Sequence, residues 1–202
     1  MANPLYGQNK FDNSADFIIG DNNEAFIKRN VISMGATTDE TDLTAAQSGS
    51  LVVLNSTASQ IQVINLPTIK SGQVGTWFEF IITIIGNSAA AGSYTINTGG
   101  HATDPESATK GYDDFVGTLT IVDNVAVTTA DKSNIVPASG EGALVLADDT
   151  TNGVADVGSS FRLIAIAEST IGTAAANVWL VDGNIMTAQA TSFVTTNVFT
   201  AP

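Results

Sequence analysis

The sequence predicts an all-β protein: an antiparallel, jelly-roll-like β-sandwich preceded by an extended N-terminal arm. Three observations carry that expectation. Charged residues make up only 13% of the 202-residue chain and hydrophobic residues 44%. Surface polarity must therefore come from Thr, Ser, Asn and Gly, whereas helical surfaces usually need Glu, Lys, Gln and Arg. Short apolar runs recur with turn residues roughly every 8–12 positions, a spacing typical of sandwiches and barrels. No window offers the helices that a parallel crossover sheet would need.

The first unit is MANPLYGQNKFDNSADFIIGDNNEAFIKRN, residues 1–30. Its apolar residues, Leu5, Tyr6, Phe11, Phe17, Ile18, Phe26 and Ile27, follow no steady period. Asn and Asp separate them, and GDNN at Gly20–Asn23 is a turn signal. TTDETD at Thr37–Asp42 reads as an acidic, solvated boundary loop. Residues 1–30 are thus expected as an arm and 31–202 as the sandwich body.

SLVVLN (Ser50–Asn55) and QIQVINLP (Gln60–Pro67) predict two strands, the second ended by a proline that cannot donate to a ladder. TWFEFIITII (Thr76–Ile85) is the strongest strand. Phe78, Phe80, Ile82 and Ile84 fall on one face, and Trp77, Glu79, Ile81, Thr83 and Ile85 on the other. The second face is also partly apolar, which predicts a central strand covered on both sides. YTINT (Tyr94–Thr98) returns after a small-residue turn, and Gly99–Asp114 reads as a long polar loop. GTLTIVD and NVAVTT (Gly117–Thr129) suggest a hairpin about Asp123-Asn124, although without a turn glycine. GALVLADD (Gly142–Asp149), SSFRLIAIAE (Ser159–Glu168) and ANVWLVDGN (Ala176–Asn184) are further strands, with one or two weaker ones after them. The total is about eight to ten. FEFIITIIGNSAAAGSYTINTG and FRLIAIAESTIGTAAANVWLVDG echo each other. The echo fits a two-fold Greek-key or jelly-roll repeat, and equally the common look of β-hairpins.

Charge and composition narrow the function. The net charge is −13, of which the first 30 residues carry −1 and the rest −12. An acidic body repels nucleic acid and anionic membranes, and no basic stripe or patch is present, so neither is expected as a partner. Cysteine is absent, which removes disulfides and thiolate zinc sites. No basic leader followed by an apolar stretch opens the chain. The run WFEFIITII is interrupted by Glu79 and Thr83 and is too short to span a bilayer.

Catalytic signals are sparse. His101 is the only histidine and lies in a polar loop beside Asp104 and Glu106. No nucleophile elbow, phosphate loop, dinucleotide fingerprint or HExxH motif occurs. Asp113-Asp114, Asp148-Asp149 and Asp104–Glu106 lack the spacing of a calcium loop and read as solvated acids. Trp77 and Trp179 sit inside apolar strands and are expected in the core rather than on a sugar-binding face. Asn55-Ser56-Thr57 fits a glycosylation acceptor only incidentally. No enzyme activity, cofactor or metal is expected.

The stretch LTAAQSGSLVVLNSTASQIQVINLPTIKSGQVGTWFEFIIT (Leu43–Thr83), the returning Tyr94–Ile96 strand and the Phe161–Asp182 hairpin together resemble virion proteins of tailed bacteriophages. The opening MANPLYGQNK is similar to the start of structural proteins of marine phages. Gly99–Gly158 lies outside the resemblance, whose motifs define a β-fold more than a task. What the resemblance implies first is a capsid decoration, or cement, protein on the outer surface of the head, made in the host cytoplasm. Its implied partners are the major capsid protein and further copies of itself, as a homotrimer. An arm of this length, if extended, reaches roughly 100 Å, and Leu5, Tyr6, Phe11, Phe17, Ile18, Phe26 and Ile27 are its candidate anchors on capsid or neighbouring subunits. Folding back on its own sandwich is the alternative. A head-fibre or tail-fibre domain binding receptor or glycan, with exposed aromatics near Tyr112 and Phe115, is the second function class. A hydrolase using Asp104, Glu106, Asp113 and Asp114 is the third.

Overall fold

A computed structural model of the chain describes residues 17–19, 25–27, 29–35, 40–56, 61–70, 72–85, 93–98, 114–123, 132–137, 141–149, 153–167, 178–187 and 198–200. The strands are β1 (Phe17–Ile19), β2 (Ala25–Ile27), β3 (Val31–Ser33), β4 (Thr41–Asp42), β5 (Leu51–Leu54), β6 (Gln62–Asn65), β7 (Trp77–Ile82) and β8 (Tyr94–Asn97). They continue as β9 (Asp114–Asp123), β10 (Lys132–Ile135), β11 (Ala143–Leu146), β12 (Asp148–Asp149), β13 (Gly153–Val154), β14 (Ser160–Ala165), β15 (Val178–Thr187) and β16 (Phe199–Thr200). No helix among the described residues is long and apolar enough to cross a membrane.

Two sheets dominate. The larger has the order β10-β9-β15-β14-β7-β5-β3 and the smaller β16-β11-β8-β6-β4. β1 pairs with β2, and β12 with β13, as separate two-stranded ladders. The inner residues of both large sheets join one apolar core, the arrangement of a sandwich. Phe115 of β9 meets Phe199 of β16 across the layers, with ring centroids 5.7 Å apart. Within the larger sheet, Phe80 stacks on Phe161 at 5.1 Å and Phe78 lies 6.2 Å from Trp179.

The sheets are mixed, which corrects the antiparallel expectation. From β3 to β8 the chain alternates between sheets. β3, β5 and β7 are parallel neighbours in one, and β4, β6 and β8 in the other. This stretch is a flattened parallel coil, not the Greek-key succession of a jelly roll. The two strands expected as a linked pair, β5 and β6, therefore lie in different sheets, as do β7 and β8. The echo between the β7 and β14 regions is only local: β14 and β15 form an antiparallel pair, while β7 crosses over. β9 lies parallel to β15 along its whole length.

The coil is held at its turns by polar side chains. Asp42, Asn65 and Asn97 share one register across the smaller sheet. Asn65 Nδ2 donates to Asp42 Oδ1 at 2.8 Å and also to Glu40, and Asn97 Nδ2 donates to Asn65 Oδ1 at 3.2 Å. The backbone ladder carries on beside them, from Leu43 N–H to Asn65 O and from Leu66 N–H to Asn97 O. The segment read as a solvated acidic loop thus contains β4 and caps this row of amides. Tyr94 does the equivalent work on the other side. Its hydroxyl donates to Ile84 O at 2.7 Å and accepts from Ser56 N–H at 2.8 Å, joining the exits of β5 and β7.

Alternation sets which residues are buried. In β7, Phe78, Phe80 and Ile82 are fully buried, whereas Trp77, Glu79 and Ile81 are only partly covered. The strand is central, but its outer face is not sealed, and Ile84 lies beyond its end and is exposed. The antiparallel partner of β9 is β10, with Lys132 opposite Val122. The strand expected at Asn124–Thr129 lies outside the described residues. Gln62 is buried with neither amide atom paired among the described residues.

Two measurements follow from this packing. Burial holds the Tyr94 phenol above its ordinary value, an effect partly offset by the bond from Ser56 N–H. The folded chain then keeps its proton where the unfolded chain has lost it. Stability is unaffected below about pH 10 and falls as pH rises from there through the folded-state value. Tyr94→Phe removes both hydroxyl bonds and should cost about 1–3 kcal/mol in denaturant titrations at neutral pH. It should also flatten that alkaline loss. Gly117, at φ 112°, faces Val181, where an added Cβ would run into the Val181 carbonyl oxygen and sit 2.9 Å from Leu180 Cδ1. Gly117→Ala should lower stability by at least about 1–3 kcal/mol in the same assay.

Candidate functional site

The N-terminal segment enters the body through Arg29 and Asn30, just before β3. Asn30 O accepts from Leu51 N–H at 2.9 Å, and its Nδ2 donates to Ser50 Oγ at 3.0 Å. Arg29 Nε donates to Gly49 O at 2.8 Å, and Nη2 lies 3.5 Å from Ser50 O. Arg29 Nη1 donates to Glu79 Oε2 at 2.6 Å. These bonds fix Arg29 level with Gly49 and Trp77, on the outer face of the larger sheet.

A second arginine completes the cluster. Arg162 of β14 stands opposite Glu79 in register, with Nη2 at 3.9 Å from the same carboxylate oxygen. The guanidinium carbons of Arg29 and Arg162 lie 4.9 and 5.0 Å from the centroid of the Trp77 ring. These are the only two arginines in the chain. Strand alternation explains the site locally: burying Phe78 and Phe80 turns Trp77 and Glu79 outward together.

The energetics are moderate. The Glu79, Arg29 and Arg162 side chains are 32%, 35% and 51% exposed. Water therefore screens both ion pairs to at most about 1 kcal/mol each. Each cation–π contact adds about 0.5–1 kcal/mol. Together they set a geometry more than they supply stability.

The seven expected arm anchors fall into two groups. Leu5, Tyr6 and Phe11 lie outside the described residues. Phe17 and Ile18 are on β1 and Phe26 and Ile27 on β2, with Phe17 opposite Ile27 and Ile18 opposite Phe26. Those four positions share one antiparallel ladder, whose last residue, Ile27, lies two residues before Arg29. His101, Asp104, Glu106, Tyr112 and Asp113 also lie outside the described residues, and Asp114 begins β9. Phe115 is buried against Phe199, not exposed. Trp179 is in the core as expected, whereas Trp77 is not. Among the described residues no group of three acidic or histidine side chains gathers as a metal site.

Sequence reasoning missed Arg29, Glu79 and Arg162. The available signal was scarcity: only two arginines, in an acidic chain, of which one closes the N-terminal segment and the other lies at an outward strand position. No protein-family model, curated protein or solved structure matches the chain.

Arg29→Ala should lower stability by about 1–2 kcal/mol and change the emission of Trp77. Buried Trp179 should report the same global unfolding in both proteins. The check is fluorescence-detected denaturation of wild type, Arg29→Ala and a Trp77→Phe control.

Proposed function

We propose that the protein is a non-enzymatic decoration protein of a tailed-phage head, which binds the outer surface of the capsid and stabilises the shell. In this reading residues 1–30 dock on the major capsid protein or on neighbouring copies, and the body assembles as a homotrimer. The observation that carries it is the clamp at Arg29. A segment that serves as a docking arm needs a rigid root, and this one is tied to Gly49, Ser50 and Glu79 and stacked on Trp77. The resemblance of Leu43–Thr83 and Phe161–Asp182 to tailed-phage virion proteins points the same way. So does the charge distribution, because the segment is nearly neutral while the body is acidic.

The fibre reading loses one of its supports, because Phe115 is buried.

Quantitative mass spectrometry of purified virions should find this chain in copy numbers near those of the major capsid subunit. A chain lacking residues 1–30 should keep its cooperative unfolding and lose capsid binding in sedimentation assays. Full binding by the truncated body would remove the arm from the mechanism, and absence from virions would overturn the assignment.

A further inference from the structure

Glu79 has two claimants. Arg29 Nη1 holds its Oε2 at 2.6 Å, and Arg162 Nη2 stands 3.9 Å from the same oxygen. Both guanidinium carbons also lie at nearly the same distance from the Trp77 ring centroid, 4.9 and 5.0 Å. Two cations therefore share one anion and one ring, and they repel each other. Arg162 is the less engaged of the two. Its contact with Glu79 is too long for a hydrogen bond, and it makes no hydrogen bond with any described residue. Asp182, opposite it on β15, forms no ion pair with it. The Arg162 side chain is 51% exposed, so water serves its five N–H donors.

We infer that Arg162 is a standby partner for Glu79, which makes the Arg29 clamp a latch that opens rather than a permanent joint. Glu79 and Arg162 are direct neighbours on antiparallel β7 and β14, a placement in which opposite charges ordinarily pair. When Arg29 withdraws, Arg162 needs to move only about 1 Å to reach hydrogen-bond distance of the carboxylate. Glu79 is then never left without a cation. Arg162 also stays within reach of Trp77, so the ring keeps one of its two guanidiniums.

The other groups that Arg29 releases are provided for as well. Ser50 O still accepts from Glu79 N–H at 3.1 Å, and Gly49 is partly exposed to water. Asn30 keeps its bonds to Leu51 N–H and Ser50 Oγ, so opening stops at Arg29 and β3 remains in the sheet. The device belongs to the body of the protein. It goes beyond the shell reading and holds whether or not the segment before Arg29 docks on a capsid.

Arg29 and Arg162 are the only arginines, so an arginine-specific protease reads the latch directly. Arg29 must leave Glu79 and Trp77 to enter the protease, whereas Arg162 lies within a strand paired on both sides. Cleavage after Arg29 is followed by mass spectrometry of the full-length chain, in urea well below the unfolding transition, where its rate tracks the open population. Arg162→Ala removes both the repulsion and the standby partner, so cleavage at Arg29 should slow by about two- to fivefold relative to wild type. A residue that merely stabilised the clamp would give the opposite sign. Arg162→Gln should slow cleavage likewise. In a Glu79→Gln background cleavage should be faster, and the slowing by Arg162→Ala should shrink. Cleavage at or above the wild-type rate in either Arg162 variant would overturn the inference. So would an undiminished slowing in the Glu79→Gln background, or a wild-type chain that is cut at Arg29 only when unfolded.

Discussion

The chain must turn repeatedly from one sheet to the other without burying unpaired backbone groups. That constraint shapes the first half of the molecule. A strand that crosses to the opposite layer returns beside the strand before last, and so must run parallel to it. Parallel strands lack the short hairpins that would satisfy the turning backbone locally. Side chains take over that task. Asp42, Asn65 and Asn97 form a row in which each amide answers the next, and Tyr94 ties the exits of β5 and β7.

The outer face of the larger sheet follows from the same alternation. Every residue that turns Phe78, Phe80, Phe161 and Leu163 inward turns Trp77, Glu79, Arg162 and Ile164 outward. In a chain of net charge −13 with two arginines, an outward glutamate has few partners available. Both arginines converge on this one. Glu79 thereby connects the entry of the N-terminal segment to β7 and β14, although no single bond in the cluster is strong.

Much of this was legible in the sequence, and the gaps have physical causes. The strands β5, β6, β7, β8, β11, β14 and β15 were visible because apolar alternation and flanking turn residues agree in each. Their pairing was not. Period-2 alternation states which face a residue takes and says nothing of which strand lies beside it, so β5–β6 and β7–β8 read as hairpins when they are crossings. β3 and β4 are too short to show a period, and β4 closes an acidic stretch that also suits a loop. Trp77 misled because its neighbours are apolar. Its position on the outward parity of β7, shared with Glu79, was the better guide, and Phe115 was placed in a loop although it starts the alternation of β9.

A clamp of arginine, tryptophan and glutamate makes the entry of the N-terminal segment polar, although Phe17, Ile18, Phe26 and Ile27 before it are apolar. Arg29 spends its donors on Gly49 O, Ser50 O and Glu79, and lays its plane on Trp77. Tension on the segment would pass through Arg29 and Asn30 to Ser50, Leu51 and Glu79, and from Glu79 to Arg162. The contacts are thus divided among β5, β7 and β14, three adjacent strands of the larger sheet. A root bonded to β3 alone would rest on the edge of the sheet, where three residues and one neighbour offer little resistance.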